Sequence, residues 1–180
     1  MHNIFLEDET FETLDSFLGH SEDGRSNLGD TVPVTVYRLL EYSLKLELRN
    51  RFDKETQISV FRSAGRNAGE YFTRNYLDTT LSFDAFISQL QQKLEEFKIG
   101  VLRIENVDET TGMIVLTVSE DADCSGLPVL GETVCNYDEG FIAGILSTYT
   151  GKLYTAVEVD CWATGDRVCR FHVNEEKVHG

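Results

Sequence analysis

Three of the chain's four cysteines fall in one stretch, and their places relative to the local hydrophobic period restrict the fold more than any other feature. Cys135 stands directly before a helical repeat of apolar residues (Phe141, Ile142, Ile145, Leu146, Tyr149) that Asn136 or Asp138 can cap and Gly151 closes. Tyr154 to Cys161 then reads as a strand, Ala163-Thr164-Gly165-Asp166 as a tight turn, and Val168 to Val173 as the last strand. Such a hairpin sets Cys161, at the end of one strand, beside Cys169 at the start of the next. Glu158 lies three residues before Cys161, and a helix of about twelve residues with its turn returns the chain from Cys135 to the Glu158 strand.

Zinc favours thiolate sulfur and imidazole nitrogen in tetrahedral geometry, and a carboxylate can complete the set. The candidate ligands are therefore Cys135, Glu158, Cys161 and Cys169, with Cys124, in the loop from Asp121 to Glu132, able to replace Glu158. Four ligands leave no open position, so the chemistry is that of a structural clip between a helix start and a hairpin. Three thiolates, one carboxylate and a divalent cation sum to a formal charge of about −2. Arg167, Arg170 or Lys152 can offset it, and the Trp162 ring can shield it. Without paired CxxC knuckles, spacing alone also admits buried or redox-active thiols.

The segments before this stretch read mostly as helix. Asp30-Thr31-Val32-Pro33 starts one of about fifteen residues, with Val36, Leu39, Leu40, Leu44 and Leu48 on its apolar side and Glu41, Lys45 and Arg49 on its polar side. A second runs from Thr56 or Gln57 to Tyr76. It holds Gly65 and Gly69 four apart, although glycine costs roughly 1 kcal/mol against alanine in a helix interior. A close approach by another backbone or by a ligand explains the pair, and Phe61 and Phe72 flank that face. A third helix follows Ser82, carries Phe83, Phe86, Ile87, Leu90, Leu94 and Phe97, and stops at Gly100. The period then shortens to two: Val101 to Val107 and Met113 to Val118 form a hairpin with Ile114, Leu116 and Val118 on one face. Three helices, a hairpin, a helix and a second hairpin define an α+β domain, an antiparallel sheet of about four strands packed with helices.

The chain has 180 residues and 41% hydrophobic content, enough for one substantial core. Residues 29–175 are expected to form that domain, 1–28 a flexible or docking arm in which Phe11, Leu14, Phe17 and Leu18 sit at helical spacing, and 176–180 a loose tail. With 31 acidic and 16 basic residues the net charge is −15, which repels phosphate backbones and anionic lipid, so neither nucleic acid nor membrane is an expected partner. Arg62, Arg66 and Arg74 recur along one helix and are expected to make i,i+4 pairs. No apolar run approaches the roughly 20 residues that span a bilayer, and acids occupy the place of a signal peptide's basic region. A cytoplasmic protein is expected, in which cysteines serve as metal ligands or buried thiols rather than disulfides.

Cys135-Asn-Tyr-Asp-Glu-Gly-Phe-Ile-Ala-Gly, followed by Val157-Glu158-Val-Asp-Cys161-Trp-Ala-Thr-Gly165-Asp166-Arg-Val-Cys169-Arg-Phe171, resembles the signature of the 4-vinyl reductase domain. That family includes sensory domains of phenol- and xylene-responsive bacterial activators, a bacteriochlorophyll-biosynthesis protein and stand-alone archaeal and bacterial proteins. It is related in fold to TRAPP-type trafficking subunits. The resemblance covers about residues 30–175 and implies zinc held by Cys135, Glu158, Cys161 and Cys169. It also implies a small-molecule cavity between sheet and helices, and a homodimer built partly from N-terminal helices. The phenol sensors hold the ligand hydroxyl with a His and a Trp. Here the histidines are His2, His20, His172 and His179, and the single Trp162 lies inside the hairpin.

The expected function is a sensory or regulatory domain that binds a small hydrophobic or aromatic molecule and passes its signal to a separate output protein. Its cavity wall is expected from Phe61, Gly65, Phe72, Ile114, Leu116, Phe141, Ile145 and Tyr149. The alternatives are a reductase-type enzyme or accessory protein of tetrapyrrole metabolism, and an interaction scaffold without a ligand. No GxGxxG is present to hold a dinucleotide hydride donor, and no catalytic constellation stands out.

Overall fold

Strict alternation of side chains decides the sheet. In the computed structural model, which describes residues 13–19, 21–108 and 110–176 apart from the side chains of Asp15 and Glu22, four strands pair antiparallel throughout. They are β1 (Val101–Val107), β2 (Ile114–Ser119), β3 (Tyr154–Asp160) and β4 (Cys169–Glu175), in the order β1-β2-β4-β3. Each expected hairpin forms, and β2 joins them by pairing with β4. Its register sets Ile114 opposite Val173, Leu116 opposite Phe171 and Val118 opposite Cys169, so one face of the sheet is continuously buried.

The N-terminal unit, Met1–Val32, contains two short helices, α1 (Leu14–Leu18) and α2 (Ser21–Gly24). Phe11 lies outside the described residues; Leu14, Phe17 and Leu18 fall on α1. The larger unit, from Pro33, begins with α3 (Val34–Arg51) and α4 (Lys54–Tyr76), followed by α5 (Phe83–Glu96) and, after the first hairpin, α6 (Asn136–Thr150). Pro33 occupies the cap position of α3, and neither Asp30 nor Thr31 caps it. Asp53 caps α4 by accepting from the Thr56 amide at 2.7 Å. α5 ends before Gly100: Lys98 takes φ 60°, Ile99 N–H bonds Leu94 C=O at 2.9 Å and Lys98 N–H bonds Glu95 C=O at 3.1 Å. That is a Schellman stop with lysine in the left-handed position. Gly100 instead opens β1 where a β-carbon would lie 2.6 Å from Val118 Cγ1.

α4 and α6 cross in backbone contact. A β-carbon built on Gly65 would overlap the Tyr137 carbonyl oxygen, and one on Gly140 would overlap that of Arg62. Gly69 meets Phe141 and Gly144 meets Arg66 in the same way. The glycine spacing on α4 is answered by an identical spacing on α6, so helix packing and not a ligand occupies that face.

α3 turns most of its expected apolar side outward, although Leu48 is half-buried and Arg49 exposed as expected. Glu41 and Lys45 are buried, while Val36, Leu39, Leu40, Leu44 and Leu46 are exposed, Leu40 at 72%. The ammonium of Lys45 pairs with Glu41, donates to Val134 C=O at 2.9 Å, and lies over the rings of Tyr42 and Phe61. Tyr37 donates to the Asp123 carboxylate, and Arg38 Nε donates to Ala122 C=O at 2.6 Å. The inner face of α3 is thus a polar joint with the loops on either side of Cys124 and Cys135. Among the described residues no helix is long and apolar enough to cross a membrane.

Candidate metal and ligand site

Four structural elements each deliver one sulfur to a common point. Cys124 comes from the loop after β2, Cys135 from the residue that caps α6, Cys161 from the turn leaving β3, and Cys169 from the first position of β4. All four are buried, and their sulfurs lie within 4.8 Å of one another. Cys135 Sγ is 3.8 Å from Cys161 Sγ and 3.7 Å from Cys169 Sγ, and Cys124 Sγ is 3.1 Å from Cys169 Sγ. Each separation is far beyond the roughly 2.04 Å of a disulfide. Two of them match the edge of about 3.8 Å that a tetrahedron has when its centre-to-sulfur distance is about 2.3 Å, the Zn–S length. The cluster can hold a metal ion. Cys161 Sγ also accepts from Ala163 N–H at 3.4 Å, and hydrogen bonds from the other sulfurs, Cys124 first, hold Cys161 far below the ordinary thiol range.

Glu158 stands beside this set rather than within the group of mutually close ligand atoms. Its Oε2 accepts from the Cys135 amide at 3.0 Å, while its buried Oε1 has no partner among the described residues. Burial, then the neighbouring Cys161, raises its carboxyl to about 8. The Glu158 amide donates to Glu139 Oε1 at 2.9 Å, and Glu139 Oε2 accepts from Arg62 Nε at 2.6 Å. A chain of charge and hydrogen bonds thereby runs from α4 through α6 and β3 to Cys135.

The cations expected to offset the cluster are engaged elsewhere. Arg170 pairs with Glu105 and Asp160, Lys152 pairs with Glu175, and Arg167 lies over the Trp162 ring. The buried cation nearest in bonding terms is Lys45, one carbonyl away from Cys135 through Val134. Burial opposes its charge, but the Glu41 carboxylate and its hydrogen bond, with Asp123 added, together outweigh burial and hold the Lys45 pKa above its ordinary value. Trp162 Nε1 donates to Leu127 C=O at 3.0 Å and closes the Cys124 loop over the turn. Of the expected i,i+4 pairs, Arg74 makes one with Glu70, whereas Arg66 reaches Tyr154 C=O at 2.6 Å.

Next to the cluster an apolar slot runs between α5, α6 and the buried face of the sheet. Its volume is about 30 Å³ to the centre of a water-sized sphere. Ile114, Leu116, Phe141 and Ile145 line it as expected, together with Ile87, Leu90 and Leu94 of α5. The other four expected wall residues lie elsewhere. Gly65 is sealed against α6, Phe61 packs under Lys45, and Phe72 meets Phe97 and Phe141 edge-on. Tyr149 stacks on Phe86 with its hydroxyl bonded to Leu81 C=O at 3.0 Å. An aromatic or glycine flanking a helix face cannot be assigned to a cavity until the partner helix is known.

One end of the slot is formed by Asp121 and Asp138, which sequence reasoning missed. Burial, reinforced by Asp123, raises Asp121 to about 6, and burial with Asp121 beside it raises Asp138 well above the usual carboxylate range. The signal was present in the spacing: each acid sits three residues from a cysteine, Asp121 before Cys124 and Asp138 after Cys135.

An α+β module with a four-stranded antiparallel sheet, helices on its buried face and a cluster of four buried cysteines is what the fold and site define. The chain belongs to the 4-vinyl reductase domain family, whose model matches residues 114–175. Uncharacterized protein MJ1642 of Methanocaldococcus jannaschii is 30% identical over 146 residues, covering 81% of this chain and 80% of that protein. Among solved structures, a vinyl-4-reductase family protein from M. jannaschii aligns at 15% identity and TM-score 0.57, over 83% of this chain and 85% of that one. The phenol-responsive sensory domain of the transcription activator PoxR, solved with phenol, aligns at 14% identity and TM-score 0.62, over 82% and 76%. Trafficking protein particle complex subunit 3 from Naegleria fowleri, covalently bound to palmitic acid, aligns at 11% identity and TM-score 0.65, over 80% and 95%. At such identities these structures share the fold.

Proposed function

We propose that this chain is a small-molecule-binding sensory or regulatory domain: a small hydrophobic or aromatic ligand enters the slot between α5, α6 and the sheet, and a structural zinc ion on the cysteine cluster clasps that region. The observation carrying the reading is the apolar slot itself, which lies next to a clasp and in the fold of a phenol-responsive sensory domain solved with phenol. Zinc would be held by Cys124, Cys135, Cys161 and Cys169, with Glu158 the alternative fourth ligand. With every position taken by protein, the metal's contribution is cross-linking.

About 30 Å³ admits only about two waters, since one needs roughly 10–15 Å³ by this measure, so ligand entry parts the side chains of the slot. The exposed apolar side of α3 supports a homodimer in which a second copy covers Leu39, Leu40 and Leu44. A separate output protein would read the liganded dimer in the cytoplasm, where the thiols stay reduced.

The test is a thermal-shift and native mass spectrometry screen of metal-replete protein against small aromatics and alkyl compounds. A ligand present at about 100 times its Kd should add about 2.7 kcal/mol of stability and appear as a mass adduct. Finding neither with any compound, alongside a crystal structure in which side chains fill the slot, would sink the reading.

A further inference from the structure

β3 is an edge strand, and its free edge is closed at both ends but not in the middle. Glu176 N–H donates to Leu153 C=O at 2.8 Å, so by antiparallel alternation Thr155 and Val157 exchange their bonds with β4, while Tyr154, Ala156 and Glu158 turn theirs away from the sheet. Side chains occupy the ends of that outward row. Tyr154 N–H donates to Ser147 Oγ at 3.0 Å, Tyr154 C=O accepts from Arg66 Nη2 at 2.6 Å, and Glu158 N–H donates to Glu139 Oε1 at 2.9 Å. Between them Ala156 is 5% exposed, and none of the described residues reaches its outward N–H and C=O. A backbone pair in that position is a template for another strand.

The pair opens on a groove between α4, α6 and β3 that meets the sheet only at Thr155, Ala156 and Val157. The groove is open to solvent, with a volume of about 520 Å³ to the centre of a water-sized sphere. It shares no lining residue with the slot. Its charges are arranged unevenly. Toward Glu158, Arg62 and Glu139 cancel in a pair at 2.6 Å, and Glu55 stands on the wall in the first turn of α4. Toward Tyr154 stands Arg66, which donates to two neutral acceptors and has Glu176 3.9 Å away, too far for a hydrogen bond. A guanidinium carries five N–H donors, so Arg66 keeps some for an anion.

We propose that this groove takes the carboxy-terminal end of a partner polypeptide, whose penultimate residue pairs with Ala156 through its own N–H and C=O and whose terminal carboxylate lies on Arg66. The direction follows from the charges. A guest antiparallel to β3 brings its carboxylate toward Arg66, whereas a parallel one would bring it to Glu139. The length follows from the capped end. Outward pairs recur every two residues, about 6.8 Å, and the next one along, at Tyr154, is already taken, so a single residue fits beyond the paired one. Ala156 turns its side chain to the buried face, and the residue opposite turns the same way, toward Ile58 and Ala143. An apolar penultimate residue suits that wall. Strand addition and capture of a chain end are both general modes of peptide recognition. The inference goes beyond the ligand-binding reading and does not rest on it.

Calorimetric titration of the metal-replete full chain at neutral pH with four probes tests it: acetyl-Gly-Leu-Ala as the free acid, its carboxamide, its N-methylleucine analogue, and acetate. The free acid should bind at least about tenfold more tightly than the carboxamide or the N-methyl analogue, and acetate should be weakest. Hydrogen-exchange NMR should show the Ala156 amide protected by the free acid alone. In Arg66→Gln the acid and carboxamide should come within about threefold of each other. The comparison of probes in the unaltered protein needs no variant, so a misfolded Arg66→Gln does not weaken it. Equal binding of acid and carboxamide overturns the inference, as does an N-methyl analogue that binds as well as its parent. Acetate as tight as the peptide reduces the groove to an anion site, binding without protection at Ala156 puts the peptide elsewhere, and no binding by any probe leaves the edge merely solvated; each of these overturns the inference too. All of them leave the slot reading untouched, and failure of the slot screen leaves this inference standing.

Discussion

Gly140→Ala probes the closest contact in the fold. The added methyl carbon would overlap the Arg62 carbonyl oxygen and lie 2.8 Å from both the Arg62 carbonyl carbon and the Arg66 nitrogen, where ordinary contact begins near 3.4 Å. Relief of the overlap with the Arg62 oxygen requires α4 and α6 to separate by more than about 1 Å, and a gap of about 0.5–1 Å already forfeits a quarter to a half of the van der Waals attraction of each atom pair. Overpacking a core costs about 1–3 kcal/mol where side chains can yield; here the opposing atoms are backbone, so the upper end applies. Alanine returns about 1 kcal/mol of helix propensity, leaving a net loss of about 2 kcal/mol. Urea unfolding of metal-replete protein, with a slope of about 2 kcal/mol/M, should show the midpoint lowered by about 1 M. Gly65→Ala opens the same crossing, so the double variant should lose less than the two single losses added together. A midpoint that is unchanged or higher in Gly140→Ala would refute the close crossing, because only propensity would then be acting.

The identity of the fourth metal ligand divides two substitutions: Cys124→Ala should lose bound metal and several kcal/mol of stability, whereas Glu158→Gln should keep the metal in elemental analysis because Gln still accepts the Cys135 amide. The reverse result would place Glu158 in the set. Burial, with Asp123 beside it, raises Glu41 to about 7 from an ordinary 4.5. Its stabilising effect is therefore full below about pH 4.5 and lost as pH rises toward 7, by up to about 1.4 kcal/mol per pH unit. Chemical denaturation across that window should show a flatter pH slope in Glu41→Gln, and an identical slope would refute the assignment. Leu40→Glu should turn a dimer into a folded monomer in sedimentation; an unaltered protein that is already monomeric would contradict the α3 interface.

The cysteine hairpin was legible because alternation, a turn and two cysteines fix one another locally: β3, the turn and β4 each fall within a residue or two of expectation. Cys124 entered the sequence reading only as a substitute for Glu158, since it arrives on a loop that has no period and is held by hydrogen bonds such as Trp162 to Leu127. Glu158 was legible from its place three residues before Cys161, and it lies against the Cys135 amide. The apolar side of α3 faces outward for a different reason. An apolar stripe shows which side of a helix avoids water, but not that the same chain covers it, and the pull of Lys45 toward Val134 and of Tyr37 toward Asp123 had no sequence signature. The Gly65 and Gly69 pair was ambiguous alone and becomes interpretable once Gly140 and Gly144 are set against it.

That glycine crossing also determines where the slot can yield. α6 is locked to α4 by backbone contact, and the sheet is held by its ladder, so two of the three walls are stiff. α5 is tethered to β1 and α6 by side-chain bonds, Gln91 to Leu102 C=O and Tyr149 to the Leu81 carbonyl ahead of the helix. On the proposed function, a guest in the slot would therefore move α5, and the solvent-facing side of that one helix is where an occupied domain would differ from an unoccupied one.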